Sequence, residues 1–265
     1  MRILFIGDIV GKPGRQAVKG LLKEVIASHD IDFTIANGEN AAGGMGMTPA
    51  IALEILSEGV DVLTSGNHIW AKREIIPFLD EESRLLRPAN YPDHVPGRGM
   101  GIFHAANGQK VGVLNLEGRV FMKSLECPFR VGEKGIENLK EGTRIVIVDF
   151  HAEATSEKKA LGWFFDGKAS AVLGTHTHIQ TSDEKVLSEG TAYITDVGMT
   201  GPNDSVIGIR KQVALDRFLT QIPWKFDVAT GEVELQGVTV DVDPQTGKAK
   251  EIRRIRLALE DRGKG

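Results

Sequence analysis

The chain has 265 residues, with 32 Lys and Arg against 36 Asp and Glu, for a formal net charge of −4. Hydrophobic residues make up 41% and charged residues 26%, the balance of an ordinary folded domain, which excludes a disordered chain. The mildly acidic balance argues against a general grip on polyanions, because that affinity comes from Lys and Arg displacing condensed counterions; only a local patch would bind nucleic acid. Cys127 stands alone, so no intrachain disulfide, four-cysteine zinc site or paired-thiol redox motif can form. The first apolar run, residues 3–6, meets Gly7-Asp8. It is too short for a signal sequence, and no run approaches the ~18 apolar residues of a membrane span. The expectation is a soluble cytoplasmic protein. Glycine, at 31 residues, clusters where apolar runs end, as loops approaching a ligand require.

Taken in chain order, the first half alternates strand and helix. Residues 2–6 read as a strand, 15–27 as a helix and 33–36 as a second strand. Thr48 is a good N-cap with Pro49 behind it, so a helix is expected through residue 57. Residues 60–63 read as a third strand and 72–79 as a helix. A proline-punctuated loop follows, then a hairpin of residues 101–104 and 110–116 around Asn107-Gly108, a favoured tight-turn pair. Residues 145–148 form a buried strand, 156–165 a helix and 169–173 another buried strand. The last third is richer in strands: 191–194, 224–228, 233–242 and 252–259, with Thr230-Gly231 joining two of them and residues 243–247 forming a turn. The expected fold is α/β, one domain over residues 1–265, a sandwich of two mixed sheets flanked by helices.

Five of the apolar runs deliver polar groups where they end: Asp8; Asn37, Glu39 and Asn40; Asn67 and His68; Asp149 and His151; His176 and His178. Ligands of open α/β sheets sit outside the carboxyl ends of the strands. Carboxylate oxygen with imidazole nitrogen suits Zn, Fe, Mn and similar ions. His176 and His178 are two apart, so on an extended segment they point to one side. Each piece alone has a bland reading: a Gly-Asp turn, a helix start, a hydrogen-bonded core histidine. Their joint occurrence at strand ends is what points to a metal site. Two decoys fall away. Gly7 to Lys12 has three residues between its glycines and Pro13 after the lysine, which is not a phosphate loop, and Thr155 stands where a zincin helix needs its second histidine.

The ordered set Gly7-Asp8, Gly38-Glu39-Asn40, Gly66-Asn67-His68, His151 and Gly174-Thr-His176-Thr-His178 resembles the calcineurin-like metallophosphoesterases. More narrowly, Gly-Asp-Ile-Val-Gly-Lys-Pro-Gly from Gly7, Ala-Asn-Gly-Glu-Asn-Ala-Ala-Gly-Gly from Ala36 and Asp-Phe-His-Ala-Glu-Ala-Thr-Ser-Glu-Lys from Asp149 are similar to the YmdB-like branch, bacterial phosphodiesterases of small cyclic nucleotides. Three positions depart from the broad superfamily: Val10 replaces a histidine, Glu39 a bridging aspartate, and Ile69 an acidic residue.

The resemblance implies two divalent ions, Fe or Mn ahead of Zn because the donors are rich in oxygen. Asp8, Glu39, Asn40 and His178 would hold the first metal, and Glu39, Asn67, His151 and His176 the second, with Glu39 bridging. It implies a hydroxide between the metals attacking a 2′,3′-cyclic AMP-like phosphodiester, with His68 as general acid, a role typically worth roughly 10²–10⁴-fold. The partner is then a small phosphodiester. No membrane or nucleic-acid partner is indicated, and a homo-oligomer fits without the residues fixing its symmetry. The alternatives are another substrate, such as a monoester or an RNA end, a nucleotide sensor built on the same fold, or a scaffold with structural ions. Lys12, Arg73, Arg119 and Arg210 are weak candidates for substrate contacts. Residues 43–47 would serve as a flap or as a tight connection with methionine packed inside.

Overall fold

Every second residue of the first strand faces a different layer, and that alternation organises the molecule. The computed structural model describes residues 1–260. Its elements in order are β1 (Arg2–Ile6), β2 (Asp8–Ile9), α1 (Gly11–Ser28), β3 (Phe33–Asn37), α2 (Pro49–Ser57), β4 (Val62–Thr64), a 3₁₀ turn (Ile69–Ala71), α3 (Ile75–Glu81), β5 (Met100–His104), β6 (Lys110–Glu117), α4 (Pro128–Lys140), β7 (Ile145–His151), α5 (Thr155–Phe164), β8 (Ala171–Thr175), β9 (Lys185–Val186), β10 (Ala192–Ile194), β11 (Met199–Pro202), α6 (Lys211–Thr220), β12 (Val233–Val242) and β13 (Ala249–Ala258).

One sheet runs β2-β11-β12-β1-β3-β4 with β13 also on β12, and the other runs β5-β6-β7-β8-β10-β9. Both are mixed: β1, β3 and β4 are parallel to one another, as are β6, β7 and β8, whereas β12 is antiparallel to β1 and β5 to β6. Ile3, Phe5, Phe33 and Ile35 of the first sheet bury against Val111, Val113, Ile145 and Ile147 of the second. Their neighbours Leu4 and Ile6 turn the other way onto Val18, Leu22 and Ile55 of α1 and α2. Leu116, Val148 and Phe150 pack outward on Ile136, Leu139 and Leu161 of α4 and α5. The result is helix, sheet, sheet, helix. Each fully buried aliphatic or aromatic side chain contributes about 1.5–3 kcal/mol of transfer free energy.

Most expected elements are present within a few residues, and Thr48 caps α2 by accepting the Ile51 N–H at 3.3 Å. Three differ. The helix expected over 72–79 starts late, as α3 at Ile75, behind a separate 3₁₀ turn at Ile69–Ala71. Residues 224–228 are not a strand. Only Val228 makes an isolated bridge, to Ile209, while Trp224 and Phe226 stand exposed, and Pro223 cannot donate to a ladder. The hairpin at Thr230-Gly231 therefore does not exist; β12 instead pairs with β13 through the turn at residues 243–247. Helix α4 has no counterpart among the expected elements. Its buried face carries Gly132 and Gly135, where the helix closes on Phe165, Leu116 and Leu114, so its apolar period is diluted.

Candidate metal centre

The carboxyl ends of β1, β3, β4, β7 and β8 meet at one edge of the two sheets, and the loops leaving them bring all eight singled-out residues together. Glu39 leaves β3 through a turn in which its own N–H donates to Asn37 Oδ1 at 3.1 Å. Its carboxylate lies at the centre: Oε1 is 3.1 Å from His151 Nε2 and 3.3 Å from His68 Nδ1, and accepts Asn40 Nδ2 at 3.1 Å. Toward one side, Asp8 Oδ1 is 3.8 Å from both His178 Nε2 and His151 Nδ1, and Asn40 Nδ2 is 3.2 Å from His178 Nε2. Toward the other, His151 Nε2 is 3.1 Å from Asn67 Oδ1 and 3.0 Å from His176 Nδ1.

Outer hydrogen bonds set which face each histidine turns inward. His151 Nδ1 is 2.9 Å from Thr175 Oγ1, which itself donates to Asp149 Oδ1 at 2.7 Å. His176 Nε2 is 3.2 Å from Glu153 Oε2. His178 Nδ1 donates to the Ile207 carbonyl at 2.9 Å. With their outer nitrogens protonated and held, Nε2 of His151, Nδ1 of His176 and Nε2 of His178 are free as lone-pair donors, the arrangement by which metal-binding histidines are oriented.

The charge balance agrees. Asp8, Glu39 and Asp149 are fully buried, and their partners are histidine, asparagine, threonine and backbone N–H groups. Buried carboxylates without a cation are costly. Burial raises the Asp8 carboxyl, opposed by His178 and His151, and raises Asp149 to about 6. Burial would also raise Glu39, but His151 and His68 hold it well below the usual range. His151, against its burial, is held up to about 9 by Glu39, Asp8 and Asp149. Burial and the neighbouring His151 charge push His176 down to about 3. A cluster that draws a proton onto a buried imidazole is one that favours a cation. Asp8 Oδ1 is also buried without any hydrogen-bond partner. Donor atoms of Glu39, His151 and His176 all lie within 4.8 Å of one another. The residues fit a divalent metal on all three counts.

Backbone shape completes the site. His176 and His178 do not lie on an extended segment as expected. Both have positive φ, +98° and +65°, and they leave β8 in a turn that sends one ring to His151 and the other toward Asp8. Such conformations cost about 1–3 kcal/mol each and persist only when the surroundings hold them. Here Asp196 Oδ2 accepts the Thr177 N–H at 3.0 Å, the Thr177 hydroxyl at 2.6 Å and buried Lys158 Nζ at 2.8 Å. A side chain at Gly66 would enter the His151 ring and come within 2.5 Å of Glu39 Oε2.

His68 sits apart, half-buried at the start of the 3₁₀ turn, with Nδ1 2.9 Å from Asn40 Oδ1. Val10 and Ile69 are buried and apolar. The segment 43–47 is a tight connection: Gly44 N–H donates to Asn40 O at 3.0 Å, Ala42 N–H to Gly46 O at 2.9 Å, and Met47 is in the core. Arg210 pairs with Asp227 at 3.9 Å on the surface. Of the partners, Ile207 carried no motif signal, and Glu153, Thr175 and Lys158 stood inside the quoted strings without a role, because their roles exist only once the loops meet.

A family model described as YmdB-like protein matches residues 4–255. The chain is 50% identical over 255 residues to a Bacillus subtilis protein named 2′,3′-cyclic-nucleotide 2′-phosphodiesterase, covering 96% of each. Among solved structures it is similar to a Mycoplasma pneumoniae protein described as a novel phosphatase, with TM-score 0.92, 33% identity and coverage of 99% and 95% of the two chains. A hypothetical protein from Thermus thermophilus gives TM-score 0.91 and 40% identity, covering 98% of this chain and 100% of the other.

Proposed function

The chain belongs to the YmdB-like family, and on that premise we propose that it is a metal-dependent phosphoric diester hydrolase acting on small 2′,3′-cyclic nucleotides. The observation that carries this reading is the inward convergence of three histidine lone pairs on buried Asp8 and Glu39, each imidazole fixed from behind. In this reading Asp8, Asn40 and His178 would hold one divalent ion and Asn67, His151 and His176 a second, with Glu39 shared between them. The Asn40 amide as it lies turns Oδ1 to His68 and Nδ2 to His178; a half-turn about its last bond presents the oxygen instead. Bound metals would supply water activation and charge neutralisation at phosphorus. The many oxygen donors favour Fe or Mn over Zn.

The protein's own part is orientation and proton delivery. With Nδ1 engaged by the Asn40 amide, whichever of its two ends faces the ring, His68 has Nε2 left to protonate the leaving ribose oxygen. Glu39 Oε2 accepts the His68 N–H at 3.1 Å, so the acid and the central carboxylate move as one unit. The reading takes residues 1–265 as one catalytic unit in the cytoplasm; among the described residues no helix is long and apolar enough to cross a membrane. The test is elemental analysis of untagged protein together with hydrolysis of 2′,3′-cyclic AMP with and without chelator. About two transition metals per chain and chelator-sensitive turnover are expected. Absence of both metal and turnover after reloading with Mn or Fe would overturn it.

A further inference from the structure

A cavity of about 450 Å³ opens directly beside the cluster, with His178 as one of its walls. The side of His178 that faces the cavity is framed by Ile207, whose carbonyl fixes the imidazole, and by Ile179. Both isoleucine side chains are largely exposed and form an apolar ledge. The far wall carries two guanidinium groups, each paired with a carboxylate. Arg254 and Arg256 are two apart on β13 and so share one face of the sheet. Gln180 ties that wall to the metal centre. It lies two residues after His178, and its Nε2 donates to the Ile255 carbonyl, between the two arginines, at 3.2 Å and to Val197 and Gly237 carbonyls at 3.1 Å.

Neither guanidinium is used up. Arg254 engages Glu184 through Nε alone at 2.7 Å, and Arg256 engages Glu234 through Nε and Nη2 at 2.7 and 3.1 Å. The remaining N–H groups are free to meet an anion, and guanidinium is the side chain suited to phosphate. The cavity thus runs from the site of a scissile phosphodiester, past an apolar ledge, to two arginines. That sequence of environments matches a strand of nucleic acid, in which a phosphate, a flat base and a second phosphate follow one another; grooves for single strands combine surfaces that take the flat base, usually aromatic, with cations that track the backbone, and here Ile179 and Ile207 offer the base an apolar contact face.

We propose that this cavity is a subsite for the nucleotide preceding the scissile group, so that the enzyme's substrates include RNA 3′ ends terminating in a 2′,3′-cyclic phosphate. The inference rests on the proposed phosphodiesterase reading. It is compatible with the net charge of −4, because what meets the phosphate is the remaining N–H donors of two guanidinium groups and not a general positive field. The reaction at phosphorus is unchanged: water adds, the bond to one ribose oxygen breaks, and that oxygen takes the proton.

The experiment compares adenosine 2′,3′-cyclic phosphate with the adenylyl dinucleotide bearing the same terminal cyclic phosphate, in wild type and in the Arg254→Gln/Arg256→Gln double variant. Both ion pairs are partly exposed and contribute little to stability, so the variant is expected to fold. The dinucleotide should show kcat/KM about tenfold higher, the worth of roughly one charge-assisted hydrogen bond. The double variant should lose that advantage through KM while mononucleotide kinetics stay unchanged. A second readout is binding of a labelled oligoadenylate with a 3′-hydroxyl, which has no cyclic phosphate to open. The slope of log affinity against log salt should flatten by about 0.7 for each phosphate that the variant no longer neutralises.

Turnover of the mononucleotide with no dinucleotide advantage, or an advantage that survives the double variant, overturns the subsite and leaves the phosphodiesterase reading intact. Arginine-dependent, salt-dependent oligoadenylate binding by a metal-loaded protein that hydrolyses neither substrate supports the subsite and removes the catalytic reading instead.

Discussion

His68 differs from the three inward-facing histidines in what stands behind it. Their outer nitrogens are held by Thr175, Glu153 and Ile207, whereas the ring of His68 is held by Asn40 and Glu39 on one nitrogen and is about 30% exposed. In the proposed reading it gives a proton and does not hold a metal. Replacing it by alanine is expected to lower kcat by roughly 10²–10⁴-fold with metal content near wild type; loss of metal in that variant would make it a ligand and defeat the assignment. Gly66 gives the complementary case. It has no chemistry, but its missing side chain is the space occupied by the His151 ring and the Glu39 carboxylate. Gly66→Ala should therefore reduce metal content as well as turnover, because relief of the clash moves two donors at once. Normal metal content and normal turnover in Gly66→Ala would show that the close approach is not needed. These residues also mark what is legible in sequence. Asp8, Glu39, Asn67 and the histidines are visible because a chemically specific group follows each apolar run. Glu153 and Ile207 are not, since any acid or any backbone carbonyl would do, and only the fold says which one arrives.

Among the elements, α5 has a job beyond covering β7. Its Lys158, almost fully buried, reaches Asp196 at 2.8 Å, and the same carboxylate holds the Thr177 backbone and hydroxyl. The helix thereby secures the turn in which His176 and His178 sit in unfavourable backbone conformations. Lys158→Met should destabilise the fold by about 3–5 kcal/mol, the usual cost of leaving one buried charge unpaired. Adding Asp196→Asn should recover part of that stability but not the metal affinity, since an amide cannot accept on both oxygens as the carboxylate does. Denaturant melts with metal titrations separate the two effects; equal metal binding in wild type and double variant would remove this role from the pair. The element-level errors have a common origin. Residues 224–228 have the composition of a strand, yet only Val228 finds a partner, in an isolated bridge to Ile209. Conversely, α4 hides its apolar face behind glycines that let it approach β6 closely. In both, the deciding partner is distant in sequence. The parallel strands are readable because burial on both faces forces continuous apolar runs.

At the scale of the whole molecule, the apolar surface is unevenly spread. Leu215, Phe218 and Leu219 recur at i, i+3 and i+4, the spacing of a single helical face, but α6 buries only Ala214, and Ile222 stands exposed just past the helix end, beyond left-handed Gln221. Phe218 is 73% and Leu219 80% exposed, and Trp224 and Phe226 continue the surface. With aromatic side chains offering about 150–250 Å² each, the patch is on the order of several hundred Å², at or beyond the ~300–600 Å² of the largest patch on a typical monomer. It approaches the ~800 Å² that each partner of a stable complex buries. The occupant we expect is a second copy of the chain. A two-fold interface uses the same patch on both subunits, and an apolar patch can bury against its own copy with no charge complementarity to satisfy. The segment runs from Ile207, which fixes His178, to Val228, which packs on Gly11 and Gly44, so a partner would dock on the stretch of chain that begins at the metal centre. Light scattering should give a multiple of 28.8 kDa, and Phe218→Asp with Leu219→Asp should return the single-chain mass with an unchanged circular dichroism spectrum, because neither side chain supports the core. A wild-type protein that stays at the single-chain mass up to high micromolar concentration would leave α6 without this role.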